Sequence, residues 1–87
     1  MVSKQVTLVN AQGFHMRPAS MFAAAMAKYQ SNIFLRYNGA DHNAKSLLNI
    51  IAACIKCGSE IELICDGPEE DKALDEAVKM IESGLGE

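Results

Sequence analysis

This chain lacks a basic excess, a disulfide complement, a long apolar run and a linker. Its eight lysines and arginines are outweighed by eleven carboxylates, for a formal net charge of −3. That balance argues against general nucleic-acid binding, which needs a positive surface. Three cysteines, an odd number, do not make a secreted disulfide framework and fit a reducing compartment. No stretch approaches the roughly 20 apolar residues of a membrane span, and no apolar signal-like segment follows Met1-Val2-Ser3-Lys4-Gln5. A cytoplasmic protein without direct membrane insertion is therefore expected. With no repeat or low-complexity tract, residues 1–87 read as one domain. A domain of that size buries roughly 60–65% of its unfolded surface, enough to fold without disulfides.

What is present is regular punctuation. Lys4 to Val9 alternates, with Val6 and Leu8 on one face, as a half-buried strand does. Asn10 to Gly13 reads as a loop. Pro18 suits the first turn of a helix, where its missing N–H costs nothing, and Ala19 to Ala27 supplies small residues that let that helix lie close to a sheet. Asn32 to Tyr37 is rich in strand formers, and Asn38-Gly39 turns it into a short strand at Ala40 to Asn43. Ser46 can cap a short helix from Leu47 to Ala53. Glu60 to Asp66 alternates again, with Ile61, Leu63 and Cys65 inward. Gly67-Pro68 starts a last helix with Glu69, Glu70 and Asp71 in its first turn, an apolar stripe of Leu74, Ala77, Val78 and Ile81, and Gly84 as its stop. The order βαββαβα predicts an α+β open-faced sandwich, a four-stranded antiparallel sheet with three helices on one face.

Within this order His15 stands just before the first helix, with Arg17 in its first turn. A helix N-terminus offers N–H groups and the positive end of the macrodipole, and so attracts phosphate. That end and a guanidinium both favour the uncharged, nucleophilic imidazole. Arg17 adds charge-assisted hydrogen bonds to phosphoryl oxygens. By placement alone, the reading of His15 as a mediocre cap and Arg17 as a solvated side chain is favoured, and the chemistry of the residues does not overturn it. Cys54-Ile55-Lys56-Cys57 is a second candidate, for redox chemistry or half a zinc site, with Cys65 and His42 as further ligands. Its position at the end of a helix and its ligand spacing fit neither, and packing or incidental cysteines are the better reading.

The segment Gly13-Phe14-His15-Met16-Arg17-Pro18-Ala19 closely resembles the active-site signature of the HPr family, the histidine-containing phosphocarriers of the bacterial sugar phosphotransferase system. The likeness extends over the chain through Tyr37-Asn38-Gly39, Lys45-Ser46-Leu47-Leu48, Gly58, Asp66-Gly67 and Gly84-Leu85-Gly86-Glu87. The resemblance implies a carrier rather than an enzyme. His15 would accept a phosphoryl group on Nδ1 from phosphorylated Enzyme I and pass it to IIA components of sugar permeases, with Arg17 steadying the group. No cofactor or metal of its own is implied. Ser46 resembles a regulatory phosphorylation site, which implies an HPr kinase/phosphorylase and a catabolite-control transcription factor as further partners. Met16, Ser20 and Met21, with Leu47, Leu48 and Ile51, match the positions the family uses for partner contact. Met16 and Leu47 are expected at the surface, and Met21 and Leu48 could equally be core. A monomer is expected.

Departures from the family pattern are Met16 for the usual Ala, Gln12 for Ser or Thr, and Asn49 and Cys54 for frequent glycines. None removes a group that does chemistry. Two alternatives stay open at this level. One is a relative serving a nitrogen-related or purely regulatory branch; the other is a small thiol or metal module built on Cys54 and Cys57.

Overall fold

The computed structural model describes residues 1–9 and 14–85; the loop expected at 10–13 lies outside them. Seven elements follow in chain order: β1 (Val2–Thr7), α1 (Met16–Ala27), β2 (Asn32–Tyr37), β3 (Ala40–Asn43), α2 (Leu47–Ala53), β4 (Glu60–Asp66) and α3 (Glu70–Glu82). The strands form one sheet in the order β1-β4-β2-β3 with every pairing antiparallel. The last strand thus enters between the first two, and the three helices cover one face. This is the open-faced sandwich the pattern predicts.

Register explains the core. Val6 pairs with Ile61, Leu35 with Leu63 and Ile33 with Cys65, which lines these side chains up on the helix-covered face. They meet Ala19, Phe22, Ala23 and Met26 of α1, Ile50 of α2, and Ala73, Ala77, Val78 and Ile81 of α3. The alanines let helix backbones approach the sheet, while Phe22 and Met26, both with no exposed surface, fill the remaining depth. On the open face Arg36 lies 2.8 Å from Asp41 and 3.4 Å from Glu62. Asn38 and Gly39 both have positive φ, at 53° and 78°, as a two-residue type I′ turn requires.

Three boundaries differ from the expected ones. β1 runs from Val2 to Thr7 rather than from Lys4 to Val9. The ladder ends where Thr7 meets Glu60, the first residue of β4. Leu8 then bonds irregularly, donating to the Ser59 carbonyl and accepting from Gly58 N–H, yet stays fully buried. At the other end the terminal ammonium, 3.1 Å from Glu70, holds the first residues in the sheet. α3 begins at Glu70, with Glu69 outside it at φ 63°. Glu70 reaches back to accept the Gly67 N–H at 3.1 Å, and this bond, with the terminal ammonium, holds its carboxyl below the usual range. Ala73, rather than Leu74, completes the buried stripe, and Leu74 is only half-buried. Gly84 ends the helix as expected: at φ 85° it lets Leu85 N–H return to the Met80 carbonyl at 2.8 Å.

α2 ends at Cys54, which adopts φ 54°, ψ 43°. The left-handed region costs a residue with a Cβ about 1–2 kcal/mol. Glycine avoids that cost and gives back about 0.4–1 kcal/mol through unfolded-chain entropy. Cys54→Gly is therefore expected to stabilise the fold by about 0.5–1 kcal/mol, read as a higher urea midpoint at unchanged slope.

Candidate functional site

The start of α1 is fixed before the helix begins. Phe14 is buried, its ring meeting Phe22 edge-on at 5.5 Å between centroids and 63° between planes. Its N–H donates to the Ile55 carbonyl at 3.1 Å. The backbone at Phe14 is thus held from the side chain and from the main chain together. His15 follows as the residue flanking the helix, extended at φ −83°, ψ −174°. Its carbonyl accepts the first helical bond, from Ala19 N–H at 3.0 Å. Its side chain does not cap the helix, and the half-buried ring keeps Nδ1 away from solvent.

Pro18 occupies the third helical position and is buried. It has no N–H, and helical geometry gives the N–H groups of Met16 and Arg17 no intrahelical acceptor. Those two donors and the positive end of the dipole therefore sit directly beside His15. No acidic residue occupies the first turn, so no carboxylate of the helix start competes with an incoming anion. Arg17 is exposed there. The arrangement is a shallow, open anion site with an imidazole at its edge.

Ser46 is the cap the sequence predicts. Extended at φ −109°, it accepts the Asn49 N–H at 3.3 Å through Oγ. The Lys45 ammonium beside it donates to the Tyr29 carbonyl at 2.5 Å, just past the end of α1. At its other end α2 leads into Ile55, which is bonded to Phe14. The two helices therefore pack antiparallel, and Ser46 lies at the end of α2 away from His15. Seven residues at 1.5 Å each separate the ends of α2 by about 10 Å.

The capping bond also sets which way α2 faces. Ile50 is fully buried, while Leu47 and Ile51 are half-buried against the core. Leu48 is 80% exposed. Leu47 was expected at the surface; its spacing with Ile50 and Ile51 turns it inward instead. Met16 and Met21 are 63% and 47% exposed, and Ser20 is exposed with them. Phe14 and Ile55, which position His15, carried no polar signal in the sequence and were missed.

Cys54 and Cys57 are exposed and Cys65 is buried. Burial, with the nearby Glu70 charge, pushes the Cys65 thiol up to about 11, which leaves it an apolar core residue at neutral pH. Cys57 Sγ lies 3.8 Å from the Val9 carbonyl. Among the described residues no cluster of three or more His, Cys, Asp or Glu could hold a metal ion.

The Ser46 cap gives a direct test. Ser46→Ala removes the acceptor and is expected to cost about 1 kcal/mol, whereas Ser46→Asp keeps one and stays within a few tenths of a kcal/mol. Urea denaturation of both variants checks this.

The family described as "PTS HPr component phosphorylation site" matches residues 2–83. The phosphocarrier protein HPr of Treponema pallidum is 36% identical over 87 residues, covering 100% of this chain and 99% of its own length. The HPr-like protein Crh of Halalkalibacterium halodurans is 35% identical, covering 94% and 98%. Among solved structures, an HPr from Thermoanaerobacter tengcongensis superposes with a TM-score of 0.96 at 31% identity over 100% of this chain and 98% of its own. The likeness therefore spans the fold and the segment around His15 alike, and the chain belongs to the HPr family of the phosphotransferase system.

Proposed function

We propose that the protein is a phosphocarrier of the phosphotransferase system whose acceptor is His15. The observation that carries this assignment is the geometry of His15. The backbone leading into His15 is anchored through Phe14, and the imidazole stands beside the N–H groups of Met16 and Arg17 at the start of α1. In the loading step a ring nitrogen attacks phosphorus as the bond to the phosphohistidine of Enzyme I breaks, and the step reverses in kind when a IIA component takes the group. Nδ1 is the acceptor the family likeness indicates. It is shielded in the free chain, so rotation of the ring has to expose it when the donor docks. Arg17 and the N–H groups of Met16 and Arg17 hold the phosphoryl oxygens.

Met16, Ser20, Met21 and Leu48 form the exposed part of the docking surface, with Leu47 and Ile51 behind them. Ser46 is a regulatory phosphorylation site for an HPr kinase/phosphorylase, and its phosphorylated form a ligand for a catabolite-control transcription factor. A phosphate there adds about −1.5 to −2 charges at a helix start, a position that favours it. Separated from His15 by about the length of α2, beyond the ~8 Å screening length of physiological salt, the charge acts on docking partners rather than on the imidazole. The proposed site of action is the cytoplasm; among the described residues no helix is long and apolar enough to cross a membrane. The proposed state is a monomer, although dimers are described for HPr of T. tengcongensis and for Crh of Bacillus subtilis.

Incubation with Enzyme I and phosphoenolpyruvate is expected to add one acid-labile, base-stable phosphate, and His15→Ala to add none. Label retained by His15→Ala would overturn the assignment.

A further inference from the structure

The protein has five methionines, and the structure divides them sharply. Met26 is fully buried in the core and Met80 half-buried. Met1 is exposed at the terminus, 79% accessible. The other two, Met16 and Met21, are 63% and 47% exposed, and both lie on the first two turns of α1. Met16 is the residue after His15. The most exposed internal methionines of the fold thus flank His15.

We infer that Met16 and Met21 form a reversible oxidation site that controls docking at His15. This rests on the carrier reading above. Hydrogen peroxide supplies the oxidant: the thioether sulfur attacks one peroxide oxygen, an S–O bond forms, the O–O bond breaks, and the other oxygen leaves as water with both protons. Two thiols reverse it through a sulfoxide reductase, yielding thioether, a disulfide and water. The sulfoxide replaces a soft apolar side chain with a strong acceptor, which a partner must desolvate without a donor to meet it. The core is spared because Met26 is closed to solvent. The carrier stays folded while its contact surface turns polar.

The test uses the full chain with Cys54→Ser and Cys57→Ser, so that the exposed thiols do not react. Hydrogen peroxide is expected to add oxygen at Met16 and Met21 with Met26 unchanged by peptide mass mapping, and with unchanged circular dichroism. The KM for phosphorylated Enzyme I is expected to rise about tenfold, the scale set by losing burial of one methionine side chain, with kcat nearly constant. Methionine sulfoxide reductase restores it. A Met16→Leu/Met21→Leu chain, compared with itself before and after peroxide, shows no change. Unaltered transfer with both residues oxidised would overturn the inference, as would equal peroxide sensitivity of the leucine variant. Failure of the untreated chain to take up phosphate would instead overturn the carrier reading, and this inference with it.

Discussion

The contact between Phe14 and Phe22 is what the rest of the site depends on. His15 is held in place without being fully buried, and the holding is done one residue earlier. The Phe14 ring sits in the core, and its N–H is tied to Ile55. Losing such a ring costs about 3–5 kcal/mol in a fold whose whole margin is about 5–15 kcal/mol. The chain can therefore spend its core on positioning and leave His15 half outside it.

The same tie orders the surface around the site. Because Ile55 follows α2, fixing Phe14 to it brings the end of α2, rather than its beginning, to the histidine. The Lys45 bond to Tyr29 secures the opposite end. The starts of α1 and α2 thus lie at opposite ends of the helix pair. Ser46 and His15 accordingly lie towards opposite ends of α2.

Much of the fold was legible because local chemistry punctuates it. Asn38-Gly39, Ser46 and Gly67 set off β2, β3, α2 and β4 at the residues the structure gives. The β1 boundaries were not, because they depend on where β4 stops and on the terminal ammonium meeting Glu70, both distant in sequence. The likeness to family contact positions puts Leu47 at the surface, whereas its spacing with Ile50 and Ile51 turns it half inward. The left-handed Cys54 was foreshadowed only as a substitution for glycine. At the site, the His15 and Arg17 pattern pointed to phosphate chemistry, but placement alone could not separate a carrier from a plain helix start. The anchoring by Phe14 and Ile55 is a matter of packing, which apolar residue types do not announce.

Pro18 has one further consequence. At the third helical position it withholds the amide that most helix starts would contribute, and Ala19 N–H is already committed to His15. The ring at Pro18 therefore leaves two amides, those of Met16 and Arg17, at the start of α1 without an intrahelical acceptor. A relay works only if its loaded form lies near its neighbours in transfer potential. A single imino acid, buried for packing, limits how many amides the helix start can offer an anion.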